Sequence, residues 1–500
     1  MFRLLIEARA HWLAMSEFRE QRERCKNYTY GRQWSDAVVV DGMRMREEDY
    51  IRSQGNIPLK NNLIRRLVRN VIGVFRNQYT LPTIEDLNIT PTAESERIFQ
   101  KISDSANDNS LTELYSRSME EFLISGICVH RKWLGARDGE PRMLTETVQP
   151  DSFFIDSEMR DFRGWDANAV GQLHDVDFAS LCAAFAATPD DRERLRILYA
   201  DAGRGMLAGY CRSFGVGEEM ATDFLTPSRP GRCRVIEYWR KEQRARYRCH
   251  DTADGTLFRI EESDYQRCVE EENLRRLERA RETGGEAPAL IEADWMIDEV
   301  WRYYFLTPTG EALRSGDSPL PHRGHPYVFK AYPFIDGEIH SFVADCIDQQ
   351  RYINRLITLY DWIMRASAKG VLLFPEGALP DGVDIDDISE EWSRFNGVIV
   401  FRPKAGMPLP QQVSSNATNI GITELLEVQL KMMEDVSGVN SALQGKMEGG
   451  VVSGTLYNMQ IRNALTGLLD ILESFASFMR DAAMLEYRYF AAVMEGNQRF

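Results

Sequence analysis

The last third of the chain constrains the fold most, because its patterning switches in a fixed order. A helix-patterned stretch, Ser341 to Lys369, runs into a segment rich in strand formers, proline and acid, Gly370 to Gln412. A second helical stretch, Asn419 to Ser437, leads to a glycine-rich break, Gln444 to Gly454, and a third runs from Ser453 to about Phe490. In the first, Ile353, Leu356, Tyr360 and Ile363 recur at helical spacing, widened by Ile357 and Met364. Gln349, Gln350, Asn354 and Arg355 interrupt it, so this rod is expected to be incompletely buried. The second shows Ile422, Leu425, Leu426, Met433 and Val436. In the third, Leu465, Leu468, Leu472, Phe475, Met479 and Ala482 approach a heptad seam. Periodicity alone favours a helical bundle core within one chain. The order of the elements also suits rods that stand side by side and line a tunnel.

Composition narrows the function classes. Five hundred residues allow three or four domains, and 43% hydrophobic residues suffice for buried cores. Eight cysteines without a C-x-x-C pair fit reduced thiols better than a disulfide scaffold or a zinc site. Arg3, Glu7 and Arg9 break any apolar leader, and no apolar run reaches the ~18 residues that span a bilayer, so a soluble protein made in a cytoplasm is expected. The net charge of −16 argues against tight duplex binding, which draws on cations that neutralise phosphates. It is compatible with a passage through which a polyanion slides.

Upstream, residues 1 to about 80 read as helix, loop, helix. Leu63, Leu67, Val71 and Val74 form the second helix's stripe, opposite Arg65, Arg66, Arg69 and Arg76. Trp34, in the loop, reads as a core anchor. A helix over 94–125 ends at a Ser125-Gly126 cap, followed by strands over Ile127–Trp133 and Met143–Val148. Residues 165 to 228 are weakly patterned and expected to be largely helical. Cys233 to His250 reads as a strand pair, Glu261 to Glu286 as a charge-dense helix and Glu299 to Leu306 as a strand. The fold class is therefore α+β.

Three groups of residues are candidates for function. Between strand-like runs at Val371–Phe374 and Val398–Phe401 lie Glu376, Asp381, Asp384, Asp386, Asp387, Glu390 and Glu391, with no base among them. Their spacing does not match a calcium loop, so a docking surface for a basic partner is the better reading. The break Gln444, Gly445, Lys446, Met447, Glu448, Gly449, Gly450, Val451, Val452 contains Gly-Lys, but Met447 stands where a phosphate loop requires Ser or Thr. It reads as a loop able to change shape. Arg234, Arg240, Lys241, Arg244, Arg246 and Arg248 sit in the most basic stretch, read either as a solvated face or as a seam against acidic neighbours.

Several short segments in this order resemble the portal proteins of tailed bacteriophages. They are Asp345–Asn354 opening a long helix, the strand-bearing insertion after it, Gly438–Gly445, and Ser453-Gly454 with Gln460 opening the third helix. Upstream, Gly31–Trp34 and Arg323–Pro326 are similar to portal N-terminal regions. The resemblance implies a non-enzymatic ring, usually of twelve subunits, at one capsid vertex of the virion, assembled in the host cytoplasm. Double-stranded DNA is packaged through it by the terminase large subunit and later ejected. The head-tail adaptor and the major capsid protein are further partners, with no cofactor, metal or membrane. It assigns 1–340 to a mixed α/β wing, 341–369 and 413–437 to a two-helix stem, and 370–412 to a small α/β clip that docks partners. It assigns 438–452 to a tunnel loop facing DNA, and 453–500 to a tunnel helix with a short helical crown. One Lys446 per loop, repeated around the ring, would give weak many-fold contacts, and the arginine-rich stretch would supply a seam between subunits. The competing expectations are a divalent-dependent nuclease or other hydrolase built on Asp384, Asp386 and Asp387, and a non-viral helical scaffold or adaptor.

Overall fold

A computed structural model describes residues 1–78, 80–82, 93–137, 140–200, 223–283, 288–369, 371–374, 383–393, 399–400, 406, 409–413, 421–439 and 465–497. The chain forms two compact units, each assembled from segments distant in sequence. One comprises Met1–Cys25, Val71–Ala344 and Leu465–Phe500; the other comprises Lys26–Asn70 and Asp345–Ala464.

The first unit is built on an antiparallel sheet whose strands run in the order Ala312–Asp317, Ile291–Leu306, Cys233–Asp251, Ala169–Val176 and Phe153–Ile155. Cys233–Asp251 is one strand of 19 residues, not the expected pair. Ile291–Leu306 covers one edge from Ile236↔Leu306 to Asp251↔Ile291. The other edge is shared by Ala169–Val176 and Leu257–Glu261. Residues 165–228 therefore contribute a strand as well as the helix Phe178–Phe185 and a helix over 189–200. The strand is buried on both faces over Ala169–Leu173, so it shows no alternation to read. Its Gly171 lies under Phe154, whose ring would clash with any Cβ there.

A second sheet in this unit orders Tyr327–Ala331, Ile127–Arg137 and Glu140–Thr147, all antiparallel. The region expected as one helix is two, Ala93–Asp108 and Leu111–Ser125, broken at Ser110. Gly126 ends the second in the left-handed region, as anticipated; a Cβ there would come within 1.7 Å of the His340 carbonyl oxygen. The C-terminal helix runs from Leu469 to Asn497, further than Phe490. Its Phe475 and Phe478 meet Phe75, Tyr115, Phe122 and His130 in an aromatic cluster with edge-on and tilted contacts.

The second unit begins with a hairpin, Ala37–Val40 with Met43–Arg46, turned by Asp41 and Gly42, both at positive φ. The helices Glu47–Ser53 and Leu63–Gln78 follow, the latter entering the first unit at Val71. Phe342–Lys369 is a helix of 28 residues, about 42 Å long. Val371–Leu373 pairs with Gln411–Val413; of the other strand-like run, at 398–401, Ile399 and Val400 alone are described, and neither is in a strand. The helices Ile385–Ser393 and Ile422–Ser437 complete the described elements of this unit; the last is closed by Gly438 at φ 65. Among the described residues, no helix is long and apolar enough to cross a membrane.

Candidate functional site

The second unit contains two long helices, Phe342–Lys369 and Ile422–Ser437. A polar lock holds the first half of the longer one. Gln350 and Asn354 are fully buried, which corrects the expectation that they mark an exposed side. The Gln350 Oε1 accepts from the backbone N–H groups of Leu63 (2.9 Å) and Ile64 (3.2 Å). Those are among the unpaired N–H groups that open a helix, so Gln350 caps that helix from a segment far away in sequence. Its Nε2 donates to the Asn61 carbonyl at 2.7 Å, and the Asn354 Nδ2 donates to the Gln33 Oε1 at 2.7 Å. Beside this network Glu47, nearly buried, accepts from Arg351 at 2.9 Å and from the Arg355 Nε at 2.8 Å. A buried carboxylate facing two guanidiniums is compensated, whereas either side alone would carry a desolvation cost. Sequence reasoning missed this lock, because its partners lie about three hundred positions apart; the i,i+4 spacing of Gln350–Asn354 and of Arg351–Arg355 was the available signal.

Beyond the lock, the helices change character. Leu359, Tyr360, Trp362 and Met364 are exposed on the longer helix. On the shorter one Leu425, Val428, Met432 and Val436 are exposed and recur at +3, +4, +4, a single stripe.

The acidic group divides. Glu376 and Asp381 lie outside the described residues. Asp386, Asp387, Glu390 and Glu391 lie on the helix Ile385–Ser393, and Asp384 directly precedes it. The Asp384 N–H donates to the Asp387 carboxylate at 3.0 Å, half of a capping box. Asp386 and Asp387 also stand in the first turn, where negative charge favours the helix dipole. Asp384, Asp386, Asp387 and Glu390 are exposed to solvent. Among the described residues, no three His, Cys, Asp or Glu side chains converge as metal ligands. The loop Gln444, Gly445, Lys446, Met447, Glu448, Gly449, Gly450 and Val451 lies outside the described residues.

The basic group lies in the first unit, on the long strand, and each member has a partner in the same chain. Arg234 is buried and bidentate to Asp175, at 2.6 and 3.1 Å. Arg240 meets Glu7 at 3.0 Å, and Lys241 donates to the Trp165 carbonyl at 3.3 Å. Arg244 reaches Asp317 at 3.5 Å; Arg246 meets Glu261 and, at 3.5 Å, Asp298; Arg248 meets Asp294 at 3.2 Å. Nearby, Glu237 has no exposure and accepts from Arg131, His174 (2.8 Å) and Trp239 (2.8 Å). Burial alone would raise its pKa; these partners outweigh it and bring it down to about 2.

A search of curated proteins finds no match. Among protein-family models, that of the phage P22-like portal protein matches residues 7–500. The match takes in nearly all of both units, and the chain belongs to the phage P22-like portal protein family.

Proposed function

We propose that this protein is the subunit of a ring at the capsid vertex, usually of twelve copies, through which DNA is packaged and later ejected. Membership of a structural, non-enzymatic family supports the general role. The observation that carries the reading is the apolar surface of the two stem helices. A private bundle would bury Leu359, Trp362, Val428, Met432 and Val436; in a single copy they face water. Exposed apolar stripes of this kind mark surfaces that another molecule covers. A closed ring, in which one face of each copy meets a different face of the next, covers them all.

On this reading the acidic helix Ile385–Ser393 belongs to the clip and offers exposed carboxylates to the terminase or the head-tail adaptor. The Gln444–Val451 loop faces the DNA, and Lys446 gives a weak contact repeated around the ring. The Arg234–Arg248 strand can contribute to a seam only through charges already compensated within the chain, so such a seam would be tuned by shape more than by net attraction. The nuclease alternative draws no support from Asp384 and Asp387, whose described contact caps a helix.

The deciding experiment is electron microscopy of the purified protein together with a packaging assay. A ring with an axial hole wide enough for duplex DNA, and packaging impaired by Lys446→Glu with the ring intact, is the expected result. A sample that stays monomeric at high concentration would remove the reading.

A further inference from the structure

We infer that the second unit carries a docking site for an acidic peptide segment of another protein, distinct from the acidic clip. A cleft of about 570 Å³ opens beside the Gly31–Ser35 turn, within the size range of clefts that take a small ligand or a few residues of peptide. Its lining brings Arg32, Arg46, Arg52 and Lys60 together with one carboxylate, Glu48. That excess of positive charge stands out in a chain of net charge −16, whose surface as a whole repels anions. A concave site walled by protein concentrates such a local field.

Two of these cations are held in place. The Lys60 Nζ donates to the Gly31 carbonyl at 2.7 Å, which fixes the ammonium at the rim. Glu48 pairs with Arg52 one helical turn away at 2.5 Å. Three of the four cations are guanidiniums, whose planar forks match carboxylates in bidentate fashion. Ile57 adds an exposed apolar side chain to the same lining.

These features choose between the two anionic macromolecules such a site could meet. A duplex presents its phosphates on a convex rod and has no use for an apolar lip. A peptide with Asp or Glu beside an apolar side chain enters a concavity and satisfies both the guanidiniums and Ile57. The occupant is therefore an acidic, partly apolar peptide segment.

The test is fluorescence anisotropy on the full-length assembled protein, with a short labelled peptide of Asp, Glu and Leu, a labelled Lys and Leu control, and a labelled DNA duplex. The acidic peptide should bind, weaken with added salt, and lose about tenfold in affinity in Arg46→Glu combined with Arg52→Glu. Ile57→Asp, at an exposed position, should lose binding independently. Circular dichroism and size-exclusion profiles should match wild type for every variant. The inference is overturned if the acidic peptide does not bind, if the variants bind it unchanged, or if the duplex binds and displaces it. It is equally overturned if the variants disassemble, which would make the cleft a seam between copies. A failure here leaves the ring and packaging assays untouched.

Discussion

Lys132 on the three-stranded sheet and Glu486 on the C-terminal helix form an ion pair from which water is excluded, their side chains 0% and 1% exposed. Burial lowers the Lys132 pKa, and Glu486 opposes that shift. Such a pair specifies how the helix registers on the sheet more than it stabilises the fold. Glu486→Ala alone should therefore cost about 3–5 kcal/mol, because it strands a buried ammonium. Lys132→Met with Glu486→Leu should recover most of that loss. Denaturant titrations of Lys132→Met, Glu486→Leu and the double variant form the cycle; equal loss in single and double variants would contradict this account.

Acid should weaken the same unit in two stages. Burial, helped by His322 and Lys241, drives His325 from 6.5 down to about 3. Between those values the folded histidine stays neutral while the unfolded one takes a proton, so stability present above pH 6.5 is lost as pH falls. Glu237 stays ionised down to about 2 while its unfolded counterpart protonates near 4.5, so its contribution disappears between those values. Burial also lowers His130 and His322, which add to the upper stage, so His325→Asn should shrink that stage without removing it and leave the lower one unchanged, as read by melting temperature against pH.

Gln350→Leu should destabilise the second unit by about 1–3 kcal/mol, since the buried Ile64 N–H would lose its acceptor and the Leu63 N–H would keep only the Asn61 carbonyl. Gln350→Glu keeps an acceptor for those groups but sets a second carboxylate oxygen against the Asn61 carbonyl and the Asn354 Oδ1, so it should be tolerated only with its carboxyl protonated and should cost more as pH rises. Hydrogen exchange at Leu63 and Ile64 measures the cap directly.

Val428→Glu and Leu359→Glu should shift the protein from rings to single copies without altering its helical content, because both positions face water in one copy. Light scattering and circular dichroism separate the two effects. Intact rings in both variants would show that the stem faces are not subunit contacts.

Joint replacement of Asp384, Asp386 and Asp387 by Asn should weaken binding of the terminase or the adaptor. It should also loosen the helix Ile385–Ser393, at about 0.3–1 kcal/mol for each first-turn charge removed. Unchanged binding of both partners, measured by surface plasmon resonance, would leave these acids with a capping role alone.

Sequence carried the helices and their order well, because period and cap residues are local: Gly126 and Gly438 end helices where glycine must. It carried strands poorly, for identifiable reasons. Asp41-Gly42 is a strong hairpin signal that the loop reading passed over. Cys233–Asp251 holds no Gly, Pro or Asn at which a turn could form, so one long strand was legible where a pair was expected. Ala169–Val176 was not legible, since Gly171 and Ala169 are poor strand formers and pairing with Cys233–Arg240 decides its state. Of the candidate sites, the acidic helix was visible as composition but not as a helix. The Glu47 and Gln350 lock was invisible because it joins residues whose proximity only the fold creates.

The splitting of each unit across distant segments governs the order of events at the ribosome. Lys26–Asn70 emerges early, yet Gln350 and Arg355 are synthesised about 290 to 310 residues later. At about 5–20 residues per second, that delay is on the order of 15 to 60 s. During it Trp34, Leu63, Ile64 and Leu67 have no completed core to enter. The nascent chain thus carries an apolar amino-terminal stretch through most of its translation before the segment that covers it exists.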